Sequence, residues 1–402
     1  MTTVADLELP QIDLFDPELR GERFHRTMRE LAEQSWILQT PLGFIVLDRE
    51  AGSFFLRTKQ ASFPGLKIAE LFGIDDGPLH EEIVRNILHV PADKHRRLRN
   101  LVNPFFTPRA ADRWRPAMRG FVDQLHAAVE AERRCEFVEA FAKPYPSLTI
   151  ATVMGAALSD APRLHEWSNW IQRQFDGPSL MTERARIEQA VAEFYEWAGE
   201  LLARRREDPS DDLISSLIAA RFEGDKLDDA ELVNLVLNVL VGGVDTTQSQ
   251  LAQAVRLFAE HPDQWELVRS DPDAMGPRAV EEILRYEPIT PFTARIVEEE
   301  ITYRDIVFPV DTVVMVCAFT GNRAPGEPDV FDVAAERDGK PLTFGAGIHY
   351  CLGANLARAE LQEALGFLAR RWERIELDGE PVMGSINGVY GIDELPIRWT
   401  AV

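Results

Sequence analysis

Cys351 is the cysteine of this chain that is best placed to do chemistry. It lies in the segment 344–353, which reads FGAGIHYCLG, and an amphipathic stretch that predicts a helix follows directly. The unpaired N–H groups and the positive dipole end of a helix N-terminus both favour a thiolate over a thiol. The glycines before the cysteine allow a tight turn or a close approach to a flat group, and His349 and Arg358 add positive charge.

Three roles for Cys351 stay open on these residues: a nucleophile, a metal ligand, or an unreactive cysteine at a helix cap. A nucleophile needs a base, and no His/Asn partner can be recognised from spacing. A zinc site needs further Cys or His ligands at short spacing, which this segment lacks. One thiolate in a glycine-lined cradle best suits a single axial bond to a haem iron. Cys135 and Cys317 have apolar neighbours and are interpreted as small buried side chains.

A second unusual segment, 242–247, reads GGVDTT and interrupts the longest apolar helix pattern of the chain. Each glycine in a helix interior costs roughly 1 kcal/mol relative to alanine. An acid and two β-branched alcohols follow, so several local rules are broken in one place, which is typical of a functional or strained site. The alternative is a glycine pair that lets two helices pack closely.

The pattern F-G-x-G-x-H-x-C-L-G resembles the haem-binding loop of the cytochromes P450, the haem-thiolate monooxygenases. The resemblance implies a triangular fold, mainly α with a small β lobe (α+β). The haem would lie between a distal helix at about 229–261 and the proximal Cys loop and helix at 344–372. Cys351 would bind the iron. The distal glycines would make room for oxygen, and the acid–alcohol pair Asp245 and Thr246 would pass protons to it.

The same resemblance assigns further residues. Glu282 and Arg285 match the family's structural Glu-x-x-Arg, although this spacing alone recurs elsewhere in the chain as an ordinary helix ion pair. The sequence leaves open whether Arg337 joins that pair. His95 and Arg99 share one helical face, as a common ligand requires. The residues that the resemblance places at the haem are His95, Arg99, Phe106, Gly242, Thr246, Arg295, Thr343, Phe344, Gly345, His349, Cys351, Leu352, Gly353 and Ala357.

These residues need a mostly helical scaffold, and the periodicity predicts one. Helices are predicted at Ala111–Arg133, Arg184–Arg206, Asp229–His261, Ala274–Tyr286 and Asn355–Trp372. Strands are predicted at Phe44–Asp48, Ser53–Leu56, Glu300–Thr302, Ile306–Val307, Thr312–Val316 and Leu395–Thr400. The stretch Gly321–Gly347 is interpreted as a long functional loop. Since the segments from His95 to Cys351 must converge on one haem, we expect a single domain over residues 1–402 with no fused reductase.

Composition narrows the possible functions. The chain has 402 residues, with 43 Lys+Arg against 66 Asp+Glu, and its net charge of −23 argues against nucleic acid as a partner. Three cysteines rule out a disulfide scaffold and fit a reducing cytosol. The N-terminus has no apolar signal region, and the apolar run Leu232–Val244 is too short to cross a bilayer. We therefore expect a soluble, cytoplasmic protein, and a monomer.

Electrons would have to come from another protein, because no Gly-x-Gly-x-x-Gly lies between a strand and a helix. The expected partner is a ferredoxin with its own NAD(P)H reductase. Its predicted docking patch on this acidic protein is the basic cluster Lys94, Arg96, Arg97, Arg109 and Arg113. Two rival functions are a peroxygenase that uses H₂O₂ directly and a haem sensor or carrier without turnover. The acid–alcohol pair argues against both.

The predicted substrate is a small, apolar organic molecule that is hydroxylated or oxidised in a related way. The family resemblance indicates which segments would surround it, and most of their side chains are apolar. The predicted pocket residues are Phe72, Phe175, Leu237, Val241, Ile289, Phe292 and Ile392.

Overall fold

Helices dominate the computed structural model, which describes residues 2–221, 224–323, 329–337 and 339–402. The helices of these residues are α1 Gly21–Gln34, α2 Arg49–Arg57, α3 Gly65–Leu71, α4 Gly77–Arg85, α5 Ala92–Val102, α6 Pro108–Asp112, α7 Arg115–Ala127, α8 Pro144–Met154, α9 Ala161–Gln172, α10 Gly177–Thr182, α11 Arg184–Glu207, α12 Leu213–Ala219, α13 Asp229–Gly243, α14 Asp245–Glu260, α15 Pro262–Ser270, α16 Pro272–Tyr286, α17 Ala318–Gly321 and α18 Ala354–Ala369.

The strands are short and form small sheets. They are β1 Thr2–Thr3, β2 Ile37–Thr40, β3 Gly43–Val46, β4 Ala61–Ser62, β5 Arg134–Glu136, β6 Phe292–Val297, β7 Ile301–Tyr303, β8 Ile306–Phe308, β9 Val313–Cys317, β10 Trp372–Leu377, β11 Val382–Met383, β12 Ile392–Glu394 and β13 Pro396–Ala401. The largest sheet has the order β2-β3-β9-β6-β4, and the others are β1-β8-β7, β10-β13-β5 and β11-β12. The predicted fold class, mainly helical with a small β part, is confirmed.

The largest hydrophobic core lies among the helices, with α13 and α14 in its middle. A capping box begins α13, because Asp228 accepts from the Glu231 amide while Glu231 accepts from the Asp228 amide. Helix α13 packs against α8, α9 and α11. Two smaller apolar clusters fill the β region. A deeply buried helix therefore crosses the helical part of the molecule, and its side chains can reach an internal site.

The predicted helix Asp229–His261 is divided at Val244, whose φ of −92° and ψ of −71° depart from the regular helical values of about −63° and −42°. The hydroxyl of Thr246 donates to the carbonyl of Gly242 at 2.6 Å. Such a bond competes with the helix ladder and opens it locally. By length and composition the run Asp229–Glu260 could cross a membrane, but 67% of its apolar window is buried inside the protein. A core helix of a soluble protein shows the same pattern.

Several predicted boundaries were wrong for physical reasons. The predicted strand Ser53–Leu56 lies within α2, which starts where the Asp48 carboxylate accepts from the Ala51 amide at 2.9 Å. The predicted helix 111–133 is shorter, and α7 covers only Arg115–Ala127. The last predicted helix ends at Ala369, so Trp372 begins β10 instead. Part of the predicted loop Gly321–Gly347, residues 324–328 and 338, lies outside the described residues.

Candidate active site

The segment around Cys351 forms a tight loop between the turn Gly347–His349 and the start of α18. The Cys351 amide donates to the carbonyl of Phe344 at 2.9 Å. Gly345 and Gly347 have φ values of 70° and 71°, a region that favours glycine. A Cβ on Gly347 would lie 2.8 Å from the Leu56 carbonyl oxygen, so this glycine also lets the loop pack on α2. The loop holds the cysteine at the N-terminal end of α18, as predicted.

The thiol of Cys351 does not favour the thiolate by itself. Burial raises its pKa, and the amides of Gly353 and Ala354 with the charges of Arg99 and Arg358 act in the opposite direction but do not prevail. The helix amides and the two arginines thus act on the sulfur in the predicted direction, but desolvation outweighs them in the free thiol. A bonded metal ion removes the thiol proton outright. The sulfur position fits a ligand that ionises only when a metal is bound.

Four basic side chains converge next to this loop: His95, Arg99, Arg295 and His349. The rings of His95 and His349 are 4.5 Å apart. Arg99 Nη2 donates to the Tyr350 carbonyl at 3.0 Å. Arg295 is only 2% exposed, and its Nη1 donates to the carbonyl of its neighbour Ala294 at 2.8 Å. The hydrogen bonds found for these side chains in the described residues involve no carboxylate.

Burial without a carboxylate partner lowers the pKa of each of these groups. The pKa of Arg295 falls to about 10, that of His95 to about 4, and that of His349 to about 3, where neighbouring positive groups add to desolvation. The Arg99 pKa is lowered by the same cause. His349 Nδ1 is also buried without a hydrogen-bond partner in the structure. A buried basic group of this kind lacks an anion, and the two propionates of a haem match that deficit.

His89, which was not among the predicted haem residues, belongs to the same group. Its charge contributes to lowering the His349 pKa, and its own Nε2 is buried without a partner in the described structure. His89 Nδ1 lies 2.8 Å from the Ile83 carbonyl, and the ring packs 5.7 Å from that of Phe63. The only signal in the sequence is its place six residues before His95.

The two glycines of the distal segment have different surroundings. A Cβ on Gly242 would meet nothing within 4 Å, whereas one on Gly243 would lie 2.4 Å from Ile150 Cδ1. Gly242 is exposed although its helix is buried, and Thr246, on the same face, is partly exposed. The packing interpretation therefore applies to Gly243 alone. Gly243 allows close packing of α13 on α8, and Gly242 leaves open space.

Asp245 is connected to helix α9. The hydroxyl of Ser168 donates to Asp245 Oδ2 at 2.5 Å, and His165 Nε2 lies 2.9 Å from Gln248 Oε1. Burial raises the pKa of Asp245, while the Ser168 bond and the charge of His165 lower it. Ser168 and His165 lie about 80 positions before the acid, and their single polar side chains gave no signal in the sequence.

Comparisons with known proteins place this site in a family. The family model "Cytochrome P450" matches residues 79–383. Luteothin monooxygenase of Streptomyces thioluteus is 34% identical over 415 residues, covering 100% of both chains. Cyclomarin C epoxidase CymV of Salinispora arenicola is 32% identical over 372 residues, covering 90% of this chain and 92% of the relative. The crystal structure of CalO2 superposes with a TM-score of 0.90 at 28% identity, covering 98% of this chain and 99% of that one.

The chain belongs to the cytochrome P450 family. It is thus an oxidoreductase of the haem-thiolate monooxygenase kind, as the resemblance of its Cys loop implied. Haem is the cofactor of the family, and the buried basic group beside the Cys351 loop fits it. Members act on small molecules with O₂ and electrons from redox partners.

In this P450, Glu282 and Arg285 form a bidentate ion pair with N–O distances of 2.7 and 2.8 Å. Arg337 Nη2 reaches Glu282 Oε1 at 3.2 Å, so Arg337 does join the pair, the point that the sequence left open. Asn322 Nδ2 donates both to the Arg285 carbonyl and to Thr343 Oγ1. The network thereby connects α16 with the start of the Cys loop.

The other predicted haem contacts lie on the proximal elements. The Arg358 guanidinium lies 4.6 Å from the ring of Phe344 and pairs with Glu281. Asn355 Nδ2 donates to the carbonyl of buried Phe106 at 2.9 Å. The Ala357 amide closes the first turn of α18 on the Gly353 carbonyl, and Leu352 packs at the edge of the large core.

Five of the seven predicted pocket residues belong to the large core or pack against it, whereas Phe292 packs against a smaller cluster of the β region. Phe72 lies beside Gly177, and Phe175 lies beside Gly388. Phe292 packs with its ring 6.0 Å from that of Phe24. Leu237 and Ile392 are 0% and 2% exposed and belong to the core. The other two, Val241 and Ile289, are also buried, at 6% and 6%.

The basic cluster carries less free charge than predicted. Arg97 bonds to Glu231 and lies 3.3 Å from Asp225, and Lys94 lies 3.8 Å from Glu231. Arg113 pairs with Asp211 at 3.0 Å. These three charges are therefore largely neutralised by acids distant in sequence. Arg96 and Arg109 are exposed, and no ion pair is found for either within the described residues.

Proposed function

We propose that this P450 inserts one atom of O₂ into a small, largely apolar organic substrate, at a haem b whose iron is bound by Cys351. The observation that supports this most is the buried basic group His95, Arg99, Arg295 and His349, which lacks carboxylate partners beside a cysteine loop. When bound, the haem supplies oxygen activation and transfer, and the protein supplies orientation, protons and a dry site.

The chain's own residues then have separate roles. His95, Arg99, Arg295 and His349 donate to the propionates and fix the ring plane. The Glu282–Arg285 pair keeps the proximal loop in place. The remaining haem contacts in this proposal are Phe106, Gly242, Thr343, Phe344, Gly345, Leu352, Gly353 and Ala357.

Protons reach the oxygen side through Asp245 and Thr246. The Thr246 hydroxyl donates to the carbonyl of Gly242, the residue that has open space beside it. Asp245 lies deeper, and burial raises its pKa, which brings its protonated form closer to neutral pH. The Ser168 hydroxyl holds the acid in place. Without this pair the protein would resemble a peroxygenase or a haem carrier in its chemistry.

A ferredoxin with its NAD(P)H reductase supplies the electrons in this proposal. Arg96 and Arg109 provide exposed positive charge, and Ile348 is 60% exposed on the Cys loop itself. Exposed apolar and cationic side chains both suit a short-lived protein contact. We also propose that the chain works as a monomeric single domain in the cytoplasm.

The test is spectroscopic and catalytic. The CO-difference spectrum of the reduced protein should show the thiolate band, and Cys351→His should move it to that of a histidine-ligated haem. With a surrogate ferredoxin pair, NADPH should be consumed and Asp245→Asn should lower the rate. A histidine-type band in the unaltered protein would contradict the assignment of Cys351. Haem binding without any NADPH consumption would favour the carrier.

A further inference from the structure

A buried polar cluster lies where α4, α11 and α13 meet, next to the open face of the distal helix. Its centre is Glu82, which is 0% exposed. Asn86 Nδ2 donates to Glu82 Oε1 at 2.6 Å, and Asn238 Nδ2 lies 3.5 Å from the same oxygen. Asn234 Nδ2 reaches the hydroxyl of Tyr195 at 3.0 Å. Neither the helix caps nor the ion pairs described above use this cluster.

Three acceptor oxygens of the cluster have no donor among the described residues. Glu82 Oε2, Asn234 Oδ1 and Gln174 Oε1 are all buried and have no hydrogen-bond partner in the described structure. Gln174 Nε2 donates to the Ile171 carbonyl at 3.2 Å. Exchanging the oxygen and nitrogen of this amide would give Glu82 a donor, but it would place Oε1 against the Ile171 carbonyl oxygen. Unsatisfied buried groups are costly, so their persistence needs an explanation. A guest that brings O–H or N–H donors would satisfy them.

Asn238 connects this cluster with the proposed substrate space. It precedes Gly242 and Thr246 by one and two helical turns, so the three lie on one face. All three retain exposure, whereas most of their neighbours on α13 and α14 are buried. Asn238 Oδ1 accepts from the Ile87 amide at 3.1 Å, which fixes the side chain and leaves its amide group at the boundary between the cluster and the open face.

We propose that Glu82 and Asn238 form a polar subsite of the substrate pocket, and that the substrate is an otherwise apolar molecule with a hydrogen-bond donor, a hydroxyl or an amine. The inference rests on the proposed function and adds a substrate class to it. No cation contacts Glu82 in the described residues, so its carboxyl group is available to either donor. Burial raises the Glu82 pKa to about 7, and the nearby amides do not fully offset it. A hydrogen-bond donor on the substrate would stabilise the ionised carboxylate, which the amides stabilise only in part.

The experiment uses the haem-loaded enzyme and measures spin-state shifts with cycloalkanols, cycloalkanones and cycloalkylamines of six, eight and twelve carbons. The alcohol and the ketone of one ring differ in the donor alone, and the amine adds charge. Only a high-spin shift is scored for the amine, because a direct bond to iron would keep the haem low-spin. One net hydrogen bond corresponds to about tenfold in affinity. We expect at least one donor to bind about tenfold tighter than its ketone.

Two variants test the assignment, and a third is the control. Asn238→Leu and Glu82→Gln should each bring alcohol and ketone to within about twofold. Val233→Ala, on the same helix but off this face, should keep the full difference. Asn238→Leu preserves the test if Glu82→Gln fails to fold.

Three results would overturn the subsite. They are equal binding of ketone and donors in the unaltered enzyme, a preference that survives both variants, and no binding of any donor. In a crystal structure with the tightest alcohol, a hydroxyl within hydrogen-bond distance of Glu82 or Asn238 supports the proposal. Water there, with the hydroxyl elsewhere, refutes it. These measurements need a bound haem but no turnover, so the subsite can fail while the CO spectrum and NADPH consumption still uphold the proposed function.

Discussion

The adjacent glycines of the distal helix allow a sharp test, because the same substitution should have opposite effects at the two positions. Gly242→Ala and Gly243→Ala each add one methyl group within the same helical segment. At Gly242 that methyl meets nothing within 4 Å. At Gly243 it would lie 2.4 Å from Ile150 Cδ1 and 2.9 Å from Ile150 Cγ1. Any difference between the variants therefore comes from packing and not from helix propensity.

The expected magnitudes follow from these distances. Alanine is better than glycine inside a helix by roughly 1 kcal/mol, so Gly242→Ala should raise the free energy of unfolding by up to about 1 kcal/mol. Gly243→Ala gains the same term but overpacks against Ile150, which costs about 1–3 kcal/mol. Its net effect should be a loss of about 0–2 kcal/mol. The fraction of NADPH electrons recovered in product should fall more in Gly242→Ala than in Gly243→Ala, since only the Gly242 methyl enters the space proposed for oxygen.

Urea unfolding of the haem-loaded protein measures the free energy of unfolding. Electron recovery is measured as the ratio of product formed to NADPH consumed. Ile150→Val removes the nearest carbon, Cδ1. On its own it should destabilise by about 0.5–1.5 kcal/mol, but it should relieve part of the Gly243→Ala loss. The double-mutant cycle should therefore show a favourable coupling at Gly243 and none at Gly242.

Two results would refute this reasoning. Equal stability of the two alanine variants would mean that Gly243 does not provide close contact with α8. Full electron recovery in Gly242→Ala would mean that the space beside this glycine is not where oxygen is handled. The first result concerns helix packing and the second concerns the site, so each part can fail separately.

Three further predictions follow from buried or exposed charges. Because the folded pKa of Glu82 is raised from 4.5 to about 7, the stability it contributes is complete below about pH 4.5 and lost by about pH 7. Glu82→Gln should abolish that dependence. In urea titrations at pH 8, the ligand-free variant should therefore be up to about 3 kcal/mol more stable than the unaltered protein. Identical pH profiles of the two proteins would contradict this. Arg295→Leu should stabilise the haem-free protein, since it removes an unpaired buried charge. The same change should speed haem transfer to apomyoglobin about tenfold. An unchanged transfer rate would show that Arg295 does not bind a propionate. Arg96→Glu with Arg109→Glu should slow reduction by ferredoxin about tenfold at low salt, and Arg398→Glu, outside the cluster, should not; equal rates would refute the docking patch.

Local chemistry made the proximal loop predictable. The positive φ values of Gly345 and Gly347 and the position of Cys351 before α18 depend on residues within ten positions of each other. The i,i+3 pair Glu282–Arg285 is local for the same reason. Long helices such as α11 and α16 were also predicted closely, because their apolar period is continuous. The strand predicted at Ser53–Leu56 was wrong. Adjacent phenylalanines are typical of a strand, but the Asp48 cap starts a helix that includes them.

Interactions between distant segments could not be predicted. Lys94 and Arg97 counted as free cations until the fold placed Glu231 beside them. In the same way Ser168 meets Asp245, and Glu82 meets Asn238, across 77 and 156 positions. Single polar residues carry no periodic signal, so only the packing of their helices reveals these partners.

The sequence alone therefore determined the family, the proposed iron ligand and the two segments that are proposed to lie on either side of the haem. These depend on backbone requirements and ligand chemistry that a short motif contains. Tertiary structure decided which charges are neutralised, which distal glycine packs and which leaves space, and where buried acceptors lack donors. Each of these depends on which surfaces meet when helices far apart in the chain pack together, and the free energy of a buried polar group is set by that contact.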